Sequence, residues 1–210
     1  KRSSIINNLP HLSVLDYFRY LRGDEDVSMV YDESPQTPSA DVPIIQLNKT
    51  YRCHSTVTEF LRRTIYEKDS LDYDSDQEDL MESNILDDQI SEMINPDSPI
   101  TLLIHDDRDS RQHNIPEKNI IYECITSIED ESVGIVTPHN SQKGKVSVIC
   151  PDNAEVDTVE RFQGGEKDIM FLSTTVSDPS QLSDEEEFIL SHKRLNVALS
   201  RMKKKLVIIA

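Results

Sequence analysis

The sequence of 210 residues has only three cysteines, five glycines and no run of 18 consecutive apolar residues. The cysteines, Cys53, Cys124 and Cys150, are widely spaced and form no C-x-x-C pair, which argues against a disulfide framework and a zinc site. The missing apolar run excludes a transmembrane helix and a membrane partner. The chain opens at Lys1 with no secretory signal. We therefore expect a cytoplasmic location and a piece of a longer protein.

Basic residues are scarce: 22 Lys and Arg stand against 39 Asp and Glu, a net charge of −17. This balance argues against a simple nucleic-acid-binding module, because Lys and Arg neutralise phosphates. Residues 67–99 alone hold twelve acids and one base, so most of the excess lies in one segment. We predict a single domain over 1–210 in which 67–99 form an acidic, mobile surface insertion.

Apolar periodicity predicts strands that alternate with helices. This order is typical of an α/β fold with a mostly parallel sheet flanked by helices, and we expect the polar loops to gather at one edge of the sheet. Helices are predicted from residue 55, over 117–128 and over 195–202, and strands over 42–47, 100–104, 133–136, 146–150, 169–175 and 206–209.

Three segments place arginine, glycine and carboxylate residues next to predicted strands. Asn48–Arg52 follows the strand that ends at Leu47, Val156–Asp168 carries R-F-Q-G-G-E, and Arg194–Arg201 precedes the last strand. Paired glycines permit close backbone approach to a ligand, although such a pair alone usually marks a turn. Two arginines seven residues apart share one face of a helix. A guanidinium stabilises the charge that develops during phosphoryl transfer, although a lone arginine is more often a surface charge.

In this order the three segments resemble motifs IV, V and VI of superfamily 1 helicases, in their second RecA-like domain. Gly134–Lys143 is similar to that family's strand-Thr-Pro-aromatic segment, and Glu117–Cys124, with its Asn and Glu, to its Asn-x-x-x-Glu-Ala helix. The R-F-Q-G-x-E signature resembles the subgroup of nonsense-mediated-decay and replication helicases. The resemblance covers 45–66 and 100–210 and implies a RecA-like, P-loop NTPase-type fold.

The resemblance also implies roles for particular residues around ATP, which this family hydrolyses between two RecA-like domains. Arg52 and Arg201 match its two γ-phosphate arginines, and Glu166 its contact near the nucleotide ribose. Two roles are open for Arg194: it contacts the nucleotide, or it pairs with Asp168 or Glu166. The remaining expected nucleotide-binding residues are Gln163, Gly164 and Gly165.

A second set of residues is expected to contact single-stranded DNA or RNA. Thr158 matches a residue that the resemblance assigns to a nucleic-acid phosphate. Thr137, Pro138, His139 and Lys143 follow the carboxyl end of a strand, where open α/β sheets place ligands. A hydroxyl and a base there suit backbone contacts, and His139 stands where relatives often carry Tyr and could stack a base.

The sequence contains no G-x-x-x-x-G-K-[ST] loop. We expect the P-loop and the Mg²⁺ ligands in a first RecA-like domain, so this chain alone should not hydrolyse ATP. Asp106 with Asp107, and the run Asp184–Glu187, are more simply explained as a strand end and a solvated charge run than as metal sites. We therefore predict no metal site in this chain.

The alternative function is a non-catalytic RecA-like interaction module whose acidic insertion binds a basic partner or imitates nucleic acid. The arginines at positions 52 and 201 favour the helicase. The net charge of −17 favours the module, or else a salt-rich cytoplasm in which acidic surfaces stay hydrated. Both explanations of the charge remain open at this stage.

Overall fold

The computed structural model describes residues 45, 49–66, 74–77, 88–95, 97–128, 130–162, 165–189, 196–197 and 199–210. The chain divides into two compact units, Lys1–Leu47 and Asn48–Ala210. All described residues except Ile45 belong to the second unit. Apart from Ile45, the strand predicted over 42–47 lies outside the described residues.

The second unit is built on a five-stranded sheet in which every neighbouring pair is parallel. The predicted α/β, RecA-like architecture with a parallel sheet is therefore confirmed. The strands are β1 (Ile100–Leu103), β2 (Val133–Thr137), β3 (Ala154–Thr158), β4 (Lys167–Ser173) and β5 (Met202–Ile209). Their order across the sheet is β1-β5-β4-β2-β3.

Five α-helices with described bounds accompany the sheet. They are α1 (Ser55–Leu61), which continues as a π-helical turn over Arg62–Tyr66, α2 (Asp88–Met93), α3 (Ile115–Thr126), α4 (Asn140–Ser147) and α5 (Pro179–Ile189). Helix α3 begins at a capping residue, Asn114, whose side chain accepts from the Glu117 backbone N–H. None of the helices in the described ranges is long and apolar enough to cross a membrane.

Both faces of the sheet are buried, as parallel sheets require. Alternate residues of β4 point to opposite faces, so Met170 packs with α1 while Phe171 packs with α3 and α4. The α1 face includes Val57, Leu61, Val136, Met170 and Leu206. The opposite face includes Ile121, Ile125, Ile135, Val146, Phe171 and Val207.

The strand predicted over 146–150 is wrong. Val146 is a buried residue of α4, whereas Val148 just after that helix is 85% exposed. The strand lies instead at Ala154–Thr158, on the edge of the sheet next to β2. An edge strand of alternating polar residues gives a weak apolar signal, so the more apolar neighbouring segment was mistaken for it.

The helix predicted over 195–202 ends earlier than expected. Asn196, Val197 and Leu199 are helical, Ser200 and Arg201 form a turn, and Met202 already begins β5. Arg201 therefore does not lie on the helix, and the shared helical face predicted for it and Arg194 is not supported. Arg194 itself lies outside the described residues.

Described parts of the acidic segment contact the domain. A parallel bridge joins Lys49 to Asp74, and the Ser75 hydroxyl donates to the Cys53 carbonyl at 2.8 Å. Near the other end of the segment, Ile94 is fully buried in the core against α3. The predicted mobility of 67–99 falls largely on residues outside the described ranges and remains a prediction.

Gly134 in β2 leaves no room for a side chain. A Cβ atom there would lie 2.8 Å from the Phe162 ring and 2.9 Å from Lys167 Cγ, and would overlap Met170 Sδ. We expect Gly134→Ala to lower the free energy of unfolding by about 1–3 kcal/mol, measured by urea denaturation. Gly144→Ala in α4 is the control, because nothing lies within 4 Å of its Cβ. Equal stability of the wild type and Gly134→Ala would contradict this packing.

Candidate functional site

The polar residues predicted from the sequence lie at opposite ends of the strands. We call the side of the sheet where its strands begin the amino edge, and the side where they end the carboxyl edge. Glu166 and Arg201 immediately precede β4 and β5, whereas Thr137 and Thr158 end β2 and β3. In a parallel sheet the starts and the ends of strands lie at opposite edges. The expectation that all motif loops gather at one edge is therefore wrong, and the molecule presents two separate candidate surfaces.

The amino edge brings together what we call the amino-edge cluster: Arg52, Glu166, Arg201 and Lys203. Arg52 Nε donates to Glu166 Oε1 at 2.8 Å, and Arg52 Nη1 donates to the Ser200 carbonyl at 3.1 Å. Lys203 Nζ lies 4.0 Å from Glu166 Oε2. One guanidinium thus ties the segment before α1 to the loops that precede β4 and β5, which are the three segments singled out in the sequence.

Arg201 differs from Arg52 in its hydrogen bonding. Its Nε atom is buried and finds no hydrogen-bond partner within the described part of the chain. Its carbonyl accepts from the Lys167 backbone N–H at 3.1 Å, which fixes the turn to the start of β4. A buried N–H without an acceptor costs about 1–3 kcal/mol, so this donor is suited to an acceptor supplied from outside the described residues.

A small cavity of about 180 Å³ opens beside the amino-edge cluster. It is lined by Tyr51, Arg52, Gln77, Glu166, Lys203 and Lys204. Beneath it, Cys53 is fully buried, and burial raises the pKa of its thiol to about 11. Cys53 therefore stays a neutral thiol near pH 7 and is not suited to act as a nucleophile.

Most of the residues predicted to contact nucleic acid are buried at the carboxyl edge. Thr137, Pro138 and Thr158 are buried, and Thr137 Oγ1 lies 2.9 Å from Thr175 Oγ1. These side chains therefore do not face solvent. Their expected role in binding remains a prediction. Such buried side chains would act on nucleic acid through the loop that they shape.

The other two predicted residues, His139 just before α4 and Lys143 within it, are less buried, and each lies against a carboxylate. Lys143 Nζ lies 2.8 Å from Asp157 Oδ1, and His139 Nε2 lies 3.0 Å from Glu185 Oε2 in α5. The histidine pair is ionic only when the imidazole is protonated. The structure therefore places His139 against a carboxylate of α5, while Lys143 retains partial exposure beside β3.

A buried polar network at the same edge was missed in the sequence. Glu117 and Gln142 are fully buried, and Glu117 accepts from the Thr175 backbone N–H at 2.8 Å and from the Ser173 hydroxyl. Burial raises the pKa of Glu117, and the hydrogen bonds from Ser173 and Thr175 oppose that rise. The signal was the capping pattern Asn114-x-x-Glu117 before an apolar run. Asn119 and Glu123, the Asn and Glu on which the resemblance of this helix rests, are exposed.

Three predicted nucleotide-binding residues, Gln163, Gly164 and Arg194, lie outside the described residues, and their roles remain predictions. Gly165 is described, and a Cβ at that position would meet Lys167 Cε at 3.9 Å, an ordinary contact. No close backbone approach is therefore required at Gly165 by the described neighbours.

The parallel sheet flanked by helices is a RecA-like architecture, and comparison with known proteins indicates the family. The family described as an AAA domain matches residues 30–210, and the chain belongs to that family. The similar proteins are superfamily 1 helicases, as the sequence motifs predicted, so the predicted membership is confirmed.

Three of the similar proteins include both DNA and RNA helicases. Over 109 residues the chain is 32% identical to "DNA replication ATP-dependent helicase/nuclease JHS1" of Arabidopsis thaliana, covering 49% of this chain and 8% of that protein. It is 31% identical over 91 residues to "RNA helicase Mov10l1" of Mus musculus, covering 40% of this chain and 8% of that protein. It is 27% identical over 191 residues to "Probable helicase senataxin" of Mus musculus, covering 80% of this chain and 7% of that protein. The chain thus spans less than a tenth of the length of each of these relatives.

Proposed function

We propose that this chain is the C-terminal motor domain of an ATP-dependent DNA or RNA helicase. In this proposal Arg52 and Arg201 face a nucleotide held by a first RecA-like domain, and the carboxyl-edge loops face single-stranded nucleic acid. The observation that carries it is the amino-edge cluster, where Arg52 is fixed by Glu166 and the Ser200 carbonyl while Arg201 Nε lacks an acceptor among the described residues.

The residues of the amino-edge cluster fit a triphosphate. Arg52, Arg201 and Lys203 come from segments that meet at this edge, and Arg201 Nε has no acceptor among the described residues. ATP with Mg²⁺, when bound, would supply the phosphoryl group and the metal charge from the first domain. This chain's arginines would stabilise the negative charge that develops on the phosphate oxygens, and Glu166 would hold Arg52 in place.

Nucleic-acid binding at the carboxyl edge requires an exchange of partners. Lys143 is held by Asp157 in a partly exposed ion pair, whereas His139 Nε2 lies against Glu185 Oε2 with both atoms buried. The Lys143 pair contributes only about 0–1 kcal/mol, so a phosphate can replace the Asp157 carboxylate at little cost. Relatives named as DNA helicases and as RNA helicases both match the chain. The nature of the nucleic acid is accordingly left open in the proposal.

The second candidate function is the non-catalytic interaction module. Its support is the net charge of −17, concentrated in residues 67–99. In that case the arginines of the amino-edge cluster would be structural, and their replacement would alter stability without altering any turnover.

The isolated chain is expected to show no ATPase activity stimulated by nucleic acid, because its sequence contains no P-loop. Release of phosphate from Mg-ATP should stay at the level of the buffer control, with and without single-stranded DNA or RNA. Joined to a P-loop domain in the complete protein, the same chain should support stimulated turnover. Activity of the isolated chain that scales with purified protein and is lost on Arg201→Ala would contradict the proposed division of labour.

A further inference from the structure

The loop just after β4 contains an unusual backbone conformation. Thr175 has φ of 70°, in the left-handed region, and is the one non-glycine residue with positive φ in the described part of the chain. A β-branched residue in this region costs of order 1–3 kcal/mol and persists only when its surroundings hold it there. The loop after β4 is therefore held by neighbouring contacts.

Those contacts converge on one buried carboxylate. Glu117 Oε1 accepts from the Thr175 backbone N–H at 2.8 Å and from Thr174 Oγ1 at 3.3 Å, and Glu117 Oε2 accepts from the Ser173 hydroxyl. His105 Nε2, just beyond β1, lies 3.4 Å from Oε1. Glu117 thus fixes three consecutive residues at the end of β4 from the first turn of α3.

Two connections extend from this network to the loop after β2. Thr175 Oγ1 lies 2.9 Å from Thr137 Oγ1, and the His139 backbone N–H donates to Thr137 Oγ1 at 3.5 Å. Gln142 in α4 donates to the Ser173 hydroxyl at 3.1 Å. The residues expected to shape the nucleic-acid surface are therefore bonded to the same buried network.

We propose that Glu117 is a positioning residue that sets the conformation of the carboxyl-edge loops and, resting on the function proposed above, the affinity of this edge for single-stranded nucleic acid. Glu117 is fully buried and does not itself touch the ligand. It acts through Thr175, which it holds in the left-handed region, and through Ser173. Residue 117 must therefore supply an acceptor for the Thr175 N–H and a partner for the Ser173 hydroxyl.

Glutamine and alanine at position 117 separate positioning from packing. In Glu117→Gln the amide oxygen still accepts from Thr175, and its NH₂ group can donate to Ser173 Oγ, so the network is preserved. In Glu117→Ala both partners are left without their hydrogen bonds. Glu123→Ala is the control, because Glu123 is exposed on the same helix.

The test uses the full 210-residue chain in two measurements. Amide NMR follows the Thr175 resonance, which a hydrogen bond to a carboxylate shifts downfield. Fluorescence anisotropy follows binding of labelled oligothymidylate and oligouridylate. We expect Glu117→Ala to lose the downfield resonance and to bind about tenfold more weakly, a change of about 1.4 kcal/mol. Glu117→Gln should restore a native-like loop and affinity, and Glu123→Ala should leave both unchanged.

A folded Glu117→Ala that keeps both the Thr175 resonance and the affinity would overturn the proposal. If that variant does not fold, Glu117→Leu decides, since leucine fills most of the same volume but can accept no hydrogen bond from Thr175 or Ser173. Wild-type affinity of a folded Glu117→Leu would then overturn it. If the wild type binds neither oligonucleotide, the proposed function fails at this edge. The NMR comparison of Glu117→Ala with the wild type then tests by itself whether Glu117 positions the loop.

Discussion

Replacement of Arg201 by alanine, in the complete protein that carries this domain, is expected to lower kcat for ATP hydrolysis by roughly 10³-fold or more. The reason is electrostatic: a guanidinium presented to the phosphates stabilises charge that is larger in the transition state than in the ground state. Arg201 Nε is buried without an acceptor among the described residues, so the variant leaves no internal acceptor unpaired there. Arg52→Ala should also lower kcat and, in addition, release Glu166.

The matched control for these variants is Arg63→Ala. Arg63 is largely exposed in the π-helical turn after α1 and pairs with Glu59, away from the amino-edge cluster. Steady-state phosphate release at saturating nucleic acid separates the variants, since Arg63→Ala should retain wild-type kcat. Near-normal kcat for Arg201→Ala would remove the support for a catalytic role and favour the interaction module.

Lys205→Ala is expected to lower the free energy of unfolding by at least about 3 kcal/mol. The Lys205 side chain is 1% exposed in β5, and its Nζ donates to the Asn95 carbonyl at 2.9 Å, to Thr101 Oγ1 at 2.7 Å and to the Ser98 carbonyl. Its removal leaves these three acceptors facing a cavity, and each lost bond costs about 1–3 kcal/mol. Thermal or urea unfolding measures the difference.

Lys204→Ala is the control, because its ammonium group pairs with the Glu131 carboxylate at 3.0 Å on a partly exposed surface. That pair should contribute about 0–1 kcal/mol. Equal stability losses in the two variants would show that Lys205 does not anchor the segment 95–98 to the sheet.

The same lysine predicts a pH dependence of stability. Burial lowers the pKa of Lys205 to about 8, from its ordinary value of 10.5. Between these two values the unfolded chain binds more protons than the folded chain, so the free energy of unfolding gains from Lys205 as pH rises. Below the folded pKa this contribution is constant. Relative to Lys205→Met, the wild type should therefore gain stability from about pH 8 to about pH 10.5, and parallel curves would contradict the assignment.

The sheet could largely be predicted from the sequence because four of its strands contain apolar runs, three of them in the buried centre of the sheet. The segments that begin near Ile100, Val133, Ile169 and Leu206 all lie in strands. The fifth strand, Ala154–Thr158, was missed because a polar edge strand resembles a loop in sequence. Its position next to β2 depends on pairing, which composition does not encode.

The candidate site was predictable in part. The segments that carry Arg52, Glu166 and Arg201 meet as the motif order suggested, but their separation from Thr137 and Thr158 across the sheet follows only from strand polarity. The burial of Glu117 could not be predicted from the sequence, because its partners Ser173 and Thr175 lie 56 and 58 residues away along the chain. Long-range contacts of this kind place a residue from the first turn of α3 at the centre of a polar network.

In the proposed function the two edges of the sheet have different ligands, nucleotide at the amino edge and nucleic acid at the carboxyl edge. Photocrosslinking of the complete protein, with an azido-ATP analogue and with an oligonucleotide that carries 4-thiothymidine or 4-thiouridine, tests it directly by peptide mass spectrometry. We expect nucleotide adducts on the peptides around Arg52, Glu166 and Arg201, and nucleic-acid adducts on the peptide that contains His139 and Lys143. Adducts of both reagents at one edge, or the reverse distribution, would contradict the account.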